Sequence, residues 1–228
     1  MEVQSSPPAA PVTLKPGIIS SYNNGWTQLW KHFLVLFLIF LVTIGFAVAG
    51  SVLGLIHILG IIVGIAYPIF FSNPLSYGSS FAYLKASRGE NVEVQDIFSA
   101  FKNYWNAVGA SILTGIIVVV GFIFVLVPGI FLACKPAFVP YLVVDKKMSV
   151  TQAISASWNM TKGHGWKVFL LYLLAIPIVI AGLICIGVGV IISFMWVSAA
   201  LASLYHAVDM EKAAAPGSAV PPMTPVVG

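Results

Sequence analysis

Formal charges occur in only a few short parts of this chain, and that restriction limits its folding more than any other feature. The charged residues lie in four stretches, 2–31, 85–102, 145–167 and 209–212, with Lys135 as the exception. The segments between these stretches are apolar. A charge at the centre of a bilayer costs about 2.5–3.5 kcal/mol even on a permissive insertion scale. The distribution therefore predicts an all-α protein that crosses a membrane several times as a transmembrane helical bundle.

The overall composition agrees with a membrane protein. The chain is 59% hydrophobic and 8% charged, whereas an ordinary soluble domain is roughly 25% charged. Its net charge of +4 comes from lysines that border apolar segments, which is the pattern that sets membrane orientation. A nucleic-acid-binding face would be rich in arginine with interleaved aromatics, and this chain has a single arginine. We therefore expect no nucleic-acid partner.

Six apolar segments approach the length of about 20 residues that a membrane-crossing helix needs. We predict spans near residues 33–56, 58–84, 107–127, 130–144, 166–183 and 187–206, paired as three hairpins. The fourth span is the shortest, about 22 Å at a rise of 1.5 Å per residue, and Pro136 and Pro140 interrupt it. A model with five spans would leave this segment out. Residues 1–17 and 213–228 are rich in Pro, Ala and Ser, and we expect disordered tails on either side of a membrane domain at 18–212.

The basic loops decide between the five-span and six-span models. With six crossings, all of these loops lie on one side, and the turns on the other side contain no Lys or Arg. With five crossings, the lysines of residues 146–167 would lie opposite Lys15 and Lys31. The positive-inside rule favours the first arrangement. We therefore predict a multi-pass protein of the cell membrane with both termini in the cytoplasm.

Three polar stretches carry apolar residues at helical spacing and predict amphipathic helices in the membrane interface. They are residues 18–30, 94–105 and 149–161, and Ser149 with Gln152 has the form of a capping box at the start of the third. Segments 18–24, 97–103 and 153–159 align without gaps. The same residue types recur at Ser20, Ser99 and Ser155 and at Asn24, Asn103 and Asn159. The alignment predicts three copies of one unit, an interfacial helix followed by a hairpin; chance similarity of short amphipathic helices is the alternative.

The second half of the chain contains a series of motifs known from other membrane proteins. In chain order these are Val127-Pro128-Gly129-Ile130, Lys135, Val144-Asp145, a polar helix with Ala153, Ile154 and Ser157, and Lys162-Gly163. Residues 97–206 thereby resemble a group of prokaryotic six-helix membrane proteins, which includes the YciC-like proteins and the membrane domain joined to some glycerophosphodiester phosphodiesterases. The resemblance implies an integral membrane location. It implies no phosphodiesterase activity, because the catalytic domain has no counterpart in these residues.

Lys135 is the charged residue predicted to lie within an apolar segment. Measured along a helix it is about 15 Å from Asp145, which is too far for an ordinary loop charge. Two roles fit this position: binding of a lipid headgroup or another anion inside the bundle, or a lysine whose side chain extends to the interface. For Asp145 itself the sequence favours a solvated charge at the membrane edge, over a helix cap or a pair with Lys146 or Lys147.

Small residues mark the remaining candidate positions. Pro128 and Gly129 are predicted to form a turn rather than a binding site. Close packing of helices is predicted at two Gly-x-x-x-Gly pairs, which are Gly50 with Gly54 and Gly60 with Gly64.

Motifs for catalysis and cofactor binding are missing from the sequence. It contains neither a Walker-type phosphate loop nor a Gly-x-Ser-x-Gly elbow. The histidines occur singly, so we predict no metal site and no cofactor. The sequence favours a non-enzymatic membrane protein that contacts lipids, partner proteins or copies of itself. The alternatives are a permease for a small or lipid-like anionic solute, with Lys135 as the counter-charge, and an intramembrane lipid-modifying enzyme.

Overall fold

The chain is mostly helical in the part that the computed structural model describes, residues 15–54, 66–123, 134–184 and 188–214. The α-helices of these residues are α1 (Ile18–Lys31), α2 (Phe33–Gly54), α3 (Asn73–Arg88), α4 (Tyr104–Ile123), α5 (Val139–Asp145), α6 (Val150–Thr161), α7 (Gly165–Ile184) and α8 (Val188–Ala214). Shorter helical segments of other geometry precede three of them. A π-helical turn, Pro68–Ser72, leads into α3, a 3₁₀ helix, Val94–Asn103, into α4, and a 3₁₀ turn, Lys135–Phe138, into α5.

Within the described residues, four helices are long and apolar enough to cross a membrane. They contain Phe33–Gly50, Val94–Val120, Gly165–Ile184 and Gly189–Ala214. Their positions agree with the first, third, fifth and sixth predicted spans, and α8 runs two residues past the predicted end of the membrane domain. The predicted all-α class is thus confirmed, and the chain has the long apolar helices of a membrane protein.

The second and fourth predicted spans are described only in part. The second is helical from residue 66 onward, and the helix changes from π to α geometry between Pro68 and Pro74. The described part of the fourth consists of the 3₁₀ turn and the seven-residue α5. At 1.5 Å per residue α5 reaches only about 10 Å. The predicted break in this segment is therefore present.

The polar helices begin and end at residues suited to those positions. At the start of α6, the Oε1 of Gln152 accepts a hydrogen bond from the Ser149 N–H at 3.2 Å, which completes the predicted capping box. Glu93 and Asp96 make the same reciprocal arrangement at the start of the 3₁₀ helix. Gly89 ends α3 with a φ of 77°, a conformation that glycine adopts without steric cost.

Helices of two kinds alternate along the chain. In α2, α4 and α7 few residues are buried: the buried share of their membrane-spanning windows is 17%, 22% and 22%. In α8 the buried share is 56%, and α3 and α5 are also mostly buried. The exposed side chains of α2, α4 and α7 are large and apolar. These three helices therefore form an outer layer around an inner group of α3, α5 and α8.

The core lies between the three inner helices. Tyr205 of α8 is fully buried and stacks on Tyr141 of α5, with ring centroids 4.9 Å apart. Phe138 packs edge-on against Tyr205, with ring centroids 5.5 Å apart. The helix α1 packs closely on α8, since a Cβ on Gly25 would lie 2.8 Å from the Ala200 backbone nitrogen. Aromatic and small residues together thus hold the inner helices and α1 in place.

Candidate functional site

A buried ion pair joins the ends of two inner helices. Nη1 and Nη2 of Arg88, the last residue of α3, donate to the two carboxylate oxygens of Asp145, the last residue of α5, each at 2.7 Å. Both side chains are only 8% exposed. The Tyr205 hydroxyl of α8 donates to the same carboxylate at 3.4 Å. A bidentate pair of this kind combines strong charge-assisted bonds with a defined geometry.

Burial and charge act in opposite directions on Arg88. Burial lowers the pKa of its guanidinium because it disfavours the charged form. The hydrogen bonds and the negative charge of Asp145 act against burial and outweigh it, so the pKa of Arg88 is raised above its ordinary value. Arg88 is thus a permanent buried cation.

A second buried pair continues the network to α8. Lys146, directly after α5, donates to the carboxylate of Asp209 on α8, and the Asp209 side chain is only 3% exposed. Two neighbouring residues, Asp145 and Lys146, therefore connect the end of α5 to both other inner helices. We call these four side chains the ionic junction: Arg88, Asp145, Lys146 and Asp209.

Two further ion pairs lie on the same segments as the ionic junction. Lys85 of α3 contacts Asp96 of the 3₁₀ helix at 2.9 Å. His164 lies 3.3 Å from Glu211 of α8, and this pair carries charge on both sides only when the histidine is protonated. Charged residues from the ends of α3, α5 and α8 and from the start of α7 are thereby collected at one end of the helices.

Two asparagine side chains donate hydrogen bonds to backbone carbonyls near the ends of inner helices. The repeat predicts that these asparagines occupy equivalent places. Asn24 of α1 donates to the Ser87 carbonyl at 3.1 Å. Asn103 donates to the Val143 carbonyl at 3.2 Å. In each case the amphipathic helix precedes an outer helix and bonds near the end of the next inner helix. Asn159, the third aligned asparagine, is exposed.

Exposed tryptophans lie at or just before the start of each outer helix. The exposed fraction is 50% for Trp30, 75% for Trp105 and 60% for Trp166. Each lies next to, or within one helical turn of, a lysine in the sequence; these are Lys31, Lys102 and Lys167. Tryptophan and lysine together are typical of the membrane–water boundary. We call these six residues the aromatic–lysine rim.

Lys135 lies against the amphipathic helix α6. It is half-buried at the start of the 3₁₀ turn, and its backbone carbonyl accepts a hydrogen bond of 2.6 Å from Ser157. Ser157 is fully buried. The depth of Lys135 in the membrane therefore depends on the position of α6 as well as on the distance from Asp145 along the chain. Whether it binds an anion stays a prediction.

The small residues predicted for packing and turns are described in part. A Cβ on Gly50 would lie 2.1 Å from the Tyr67 ring, so that ring occupies the space that a side chain would take. The Tyr67 hydroxyl donates to the Phe46 carbonyl on α2 at 2.9 Å. Gly54 is the last residue of α2. Gly60, Gly64, Pro128 and Gly129 lie outside the described residues.

The ionic junction was not predicted from the sequence. Asp145, interpreted there as a solvated charge, is instead buried against Arg88, and that interpretation is wrong. The physical reason is that Arg88 is 57 residues away in sequence and reaches Asp145 only through tertiary packing. One signal was present: Arg88 is the single arginine, and arginine is preferred over lysine for buried bidentate pairs.

Comparison of the chain with protein-family models, curated proteins and solved structures finds no match. The resemblance of residues 97–206 to the YciC-like proteins therefore stays a prediction. The described residues themselves define the class, an all-α protein of the membrane. Four of their helices are long and apolar enough to cross a membrane.

Proposed function

We propose that this chain is a non-enzymatic integral membrane protein of the cell membrane, with six spans in three hairpins and both termini in the cytoplasm. It contacts lipids or partner proteins through its amphipathic helices. The observation that carries this proposal is the aromatic–lysine rim, in which an exposed tryptophan lies near a lysine at the start of each outer helix.

The ion pairs support the hairpin arrangement. Arg88, Asp145 and Asp209 each lie at or near the end of an inner helix, and the ionic junction brings them together. The chain leaves this end in an outer helix and returns in an inner one between Asn24 and Ser87, whose contact closes the first loop. Asn103 and Val143 close a second loop in the same way. Each of these contacts supports an even number of crossings between the two residues that it joins.

The exposed outer helices support contact with lipid. Side chains such as Leu34, Ile116 and Ile184 would be costly to expose to water, at about 25 cal/mol for each square ångström. In hydrocarbon this cost disappears. The rim residues then lie at the level of lipid headgroups, where amphipathic rings and lysines are stabilised.

The proposed placement is tested by tryptophan quenching with brominated lipids. A variant that keeps only Trp105, with the other five tryptophans changed to phenylalanine, is reconstituted in vesicles. We expect stronger quenching by lipids brominated near the headgroup than by lipids brominated near the chain end. The matched control keeps only Trp196, which is half-buried and donates to the Tyr22 carbonyl, and should be quenched less by both. Equal quenching of Trp105 and Trp196 at every depth would overturn the placement.

A partner protein is a separate outcome of the same proposal. Purification in mild detergent should then recover a second protein in fixed stoichiometry with this chain. Changing the exposed Phe98 and Phe101 of the 3₁₀ helix to serine should release that protein while leaving the yield of this chain unchanged. Retention of the partner in that variant would place the contact elsewhere.

A permease for an anionic solute is the second candidate, and Lys135 is the residue that favours it. It begins the 3₁₀ turn that precedes α5, and broken helices form the substrate sites of many transporters. Lys135→Met should abolish uptake of an anionic solute by reconstituted vesicles and leave folding intact. Lys135→Glu should abolish it as well and fold less well, because it keeps the cost of a charge. Uptake that is unchanged in the Met variant would remove Lys135 as the counter-charge.

A further inference from the structure

A groove opens on the outside of the bundle between the start of α1 and the middle of α7. Its volume is about 460 Å³, and its lining is entirely apolar: Ile18, Leu170, Leu173, Leu174, Ile176 and Pro177. The volume lies within the range of roughly 300–1,000 Å³ that is usual for small-molecule sites. Along α7 the groove extends for about 10 Å, at a rise of 1.5 Å per residue.

The walls of the groove are held by a specific contact. The Tyr22 hydroxyl of α1 donates to the Leu171 carbonyl of α7 at 2.9 Å, and Tyr22 is buried. This bond joins α1 to α7 beside Leu170. Pro177, within α7, has no backbone N–H to complete the helical bonding pattern. The groove is thus bounded by the α1 contact at one end and by the proline at the other.

Two lysines lie within three residues of side chains that line the groove. Lys167 is one helical turn before Leu170 and Leu171 on α7 and shares a face with Leu170. Lys15 precedes Ile18 by three residues, and its carbonyl accepts a hydrogen bond of 2.9 Å from Ser20. Over the described ranges, neither lysine has an acidic partner, because the carboxylates in ion pairs there contact other residues. Trp166, exposed next to Lys167, belongs to the aromatic–lysine rim.

An apolar groove with lysines close to it suits a ligand that combines an apolar chain with an anionic group. The helix α7 is long and apolar enough to cross a membrane, so the groove faces hydrocarbon when α7 spans the bilayer. We propose that it binds a phospholipid with an anionic headgroup, with an acyl chain along residues 170–177 and the phosphate between Lys15 and Lys167. This inference rests on the proposed function as a lipid-contacting membrane protein and names the lipid class for one site.

The proposal is tested by native mass spectrometry of the full chain with added lipid. Phosphatidylglycerol serves as the anionic probe and phosphatidylcholine as the zwitterionic one. Each lysine near a membrane surface contributes about fivefold to the binding of anionic lipid, so Lys15→Gln with Lys167→Gln should weaken phosphatidylglycerol binding about 25-fold. Phosphatidylcholine binding should hardly change. Leu173→Trp, which fills the groove from an exposed position, should weaken binding of both lipids.

Matched control variants distinguish binding at this site from general electrostatic attraction of anionic lipid to the protein. Lys147→Gln with Lys212→Gln removes the same charge from two lysines that belong neither to the groove nor to the aromatic–lysine rim, and Ile116→Trp enlarges an exposed residue of α4. Both controls should bind phosphatidylglycerol like the wild type. An equal loss in the lysine control would overturn the site, since it would reflect net charge alone. A change of oligomeric state in Leu173→Trp with unchanged lipid binding would also overturn it, because the groove would then hold a second copy.

The terminal segment provides a third check. Lipid that binds only after deletion of residues 1–14 would mean that this segment fills the groove in the full chain, and the proposal would be wrong. Failure of the groove is distinguishable from failure of the proposed function. In the first case Trp105 is still quenched from the headgroup region while groove variants bind lipid normally; in the second case the quenching is lost as well.

Discussion

Arg88 and Asp145 are the two residues on which the inner helices most depend. Their side chains are almost fully buried and form two hydrogen bonds with each other. Replacing such a pair with apolar residues is often neutral, because the desolvation penalty disappears together with the attraction. Removing one partner is different, since it leaves a buried charge without compensation. The same logic applies to Lys146 and Asp209.

We therefore expect Asp145→Asn to lower the free energy of unfolding by about 3–5 kcal/mol. The double variant Arg88→Met with Asp145→Leu should recover most of this loss. Unfolding in detergent, followed by circular dichroism, measures both. As a control, Glu211→Gln removes a carboxylate that is 49% exposed, and an exposed pair contributes only about 0–1 kcal/mol. If the single and double variants are equally destabilised, the ionic junction is not a charge-compensated pair.

At the scale of elements, the amphipathic segments pack against the inner helices as well as facing outward. The 3₁₀ helix Val94–Asn103 lies directly on α3: a Cβ added to Gly78 would be 1.8 Å from the Ile97 carbonyl oxygen. Ile97 is fully buried, while Phe98 and Phe101 of the same helix are exposed. One side of this helix therefore belongs to the protein core and the other is free to contact lipid.

Gly78→Ala should be strongly destabilising, because the added methyl group meets backbone atoms that cannot rotate away. Overpacking of this kind costs about 1–3 kcal/mol. Gly45→Ala is the matched control, since a Cβ there meets nothing within 4 Å and alanine favours the helix by up to about 1 kcal/mol. Thermal unfolding of the two variants side by side makes the comparison. A tolerant Gly78 would mean that α3 and the 3₁₀ helix are not in backbone contact.

At the scale of the whole molecule, membrane orientation is the property that joins fold to function. A reporter at the C-terminus and one inserted at His57 should signal opposite sides of the membrane, with the C-terminus in the cytoplasm. Alkaline phosphatase and green fluorescent protein fusions give complementary readouts of this. A second insertion after Lys147 should report the same side as the C-terminus, because Lys146 and Asp209 are in contact. Opposite signals from these two sites would exclude three hairpins.

Much of the secondary structure followed from local patterns. The apolar lengths predicted the long helices at 33–54 and 165–184 within two residues, because a membrane helix satisfies its own backbone and needs only a run of apolar residues. Ser149 and Gln152 predicted the start of α6 through a contact only three residues apart. The division into outer and inner helices could not be predicted in this way, since α4 and α8 are both apolar enough to span a membrane and which one is buried depends on tertiary packing.

The sequence by itself determined the class of the protein, its long helices and the positions of the amphipathic segments, because each depends on the solvent or on neighbours within a few residues. The tertiary structure alone decided the pairing of Arg88 with Asp145 and of Lys146 with Asp209. It also decided that Lys135 lies against α6, and that Ile18 meets α7 to form a groove. These features join residues that are far apart in the chain, and the free energy of a buried charge or an apolar groove depends on which distant side chains complete it.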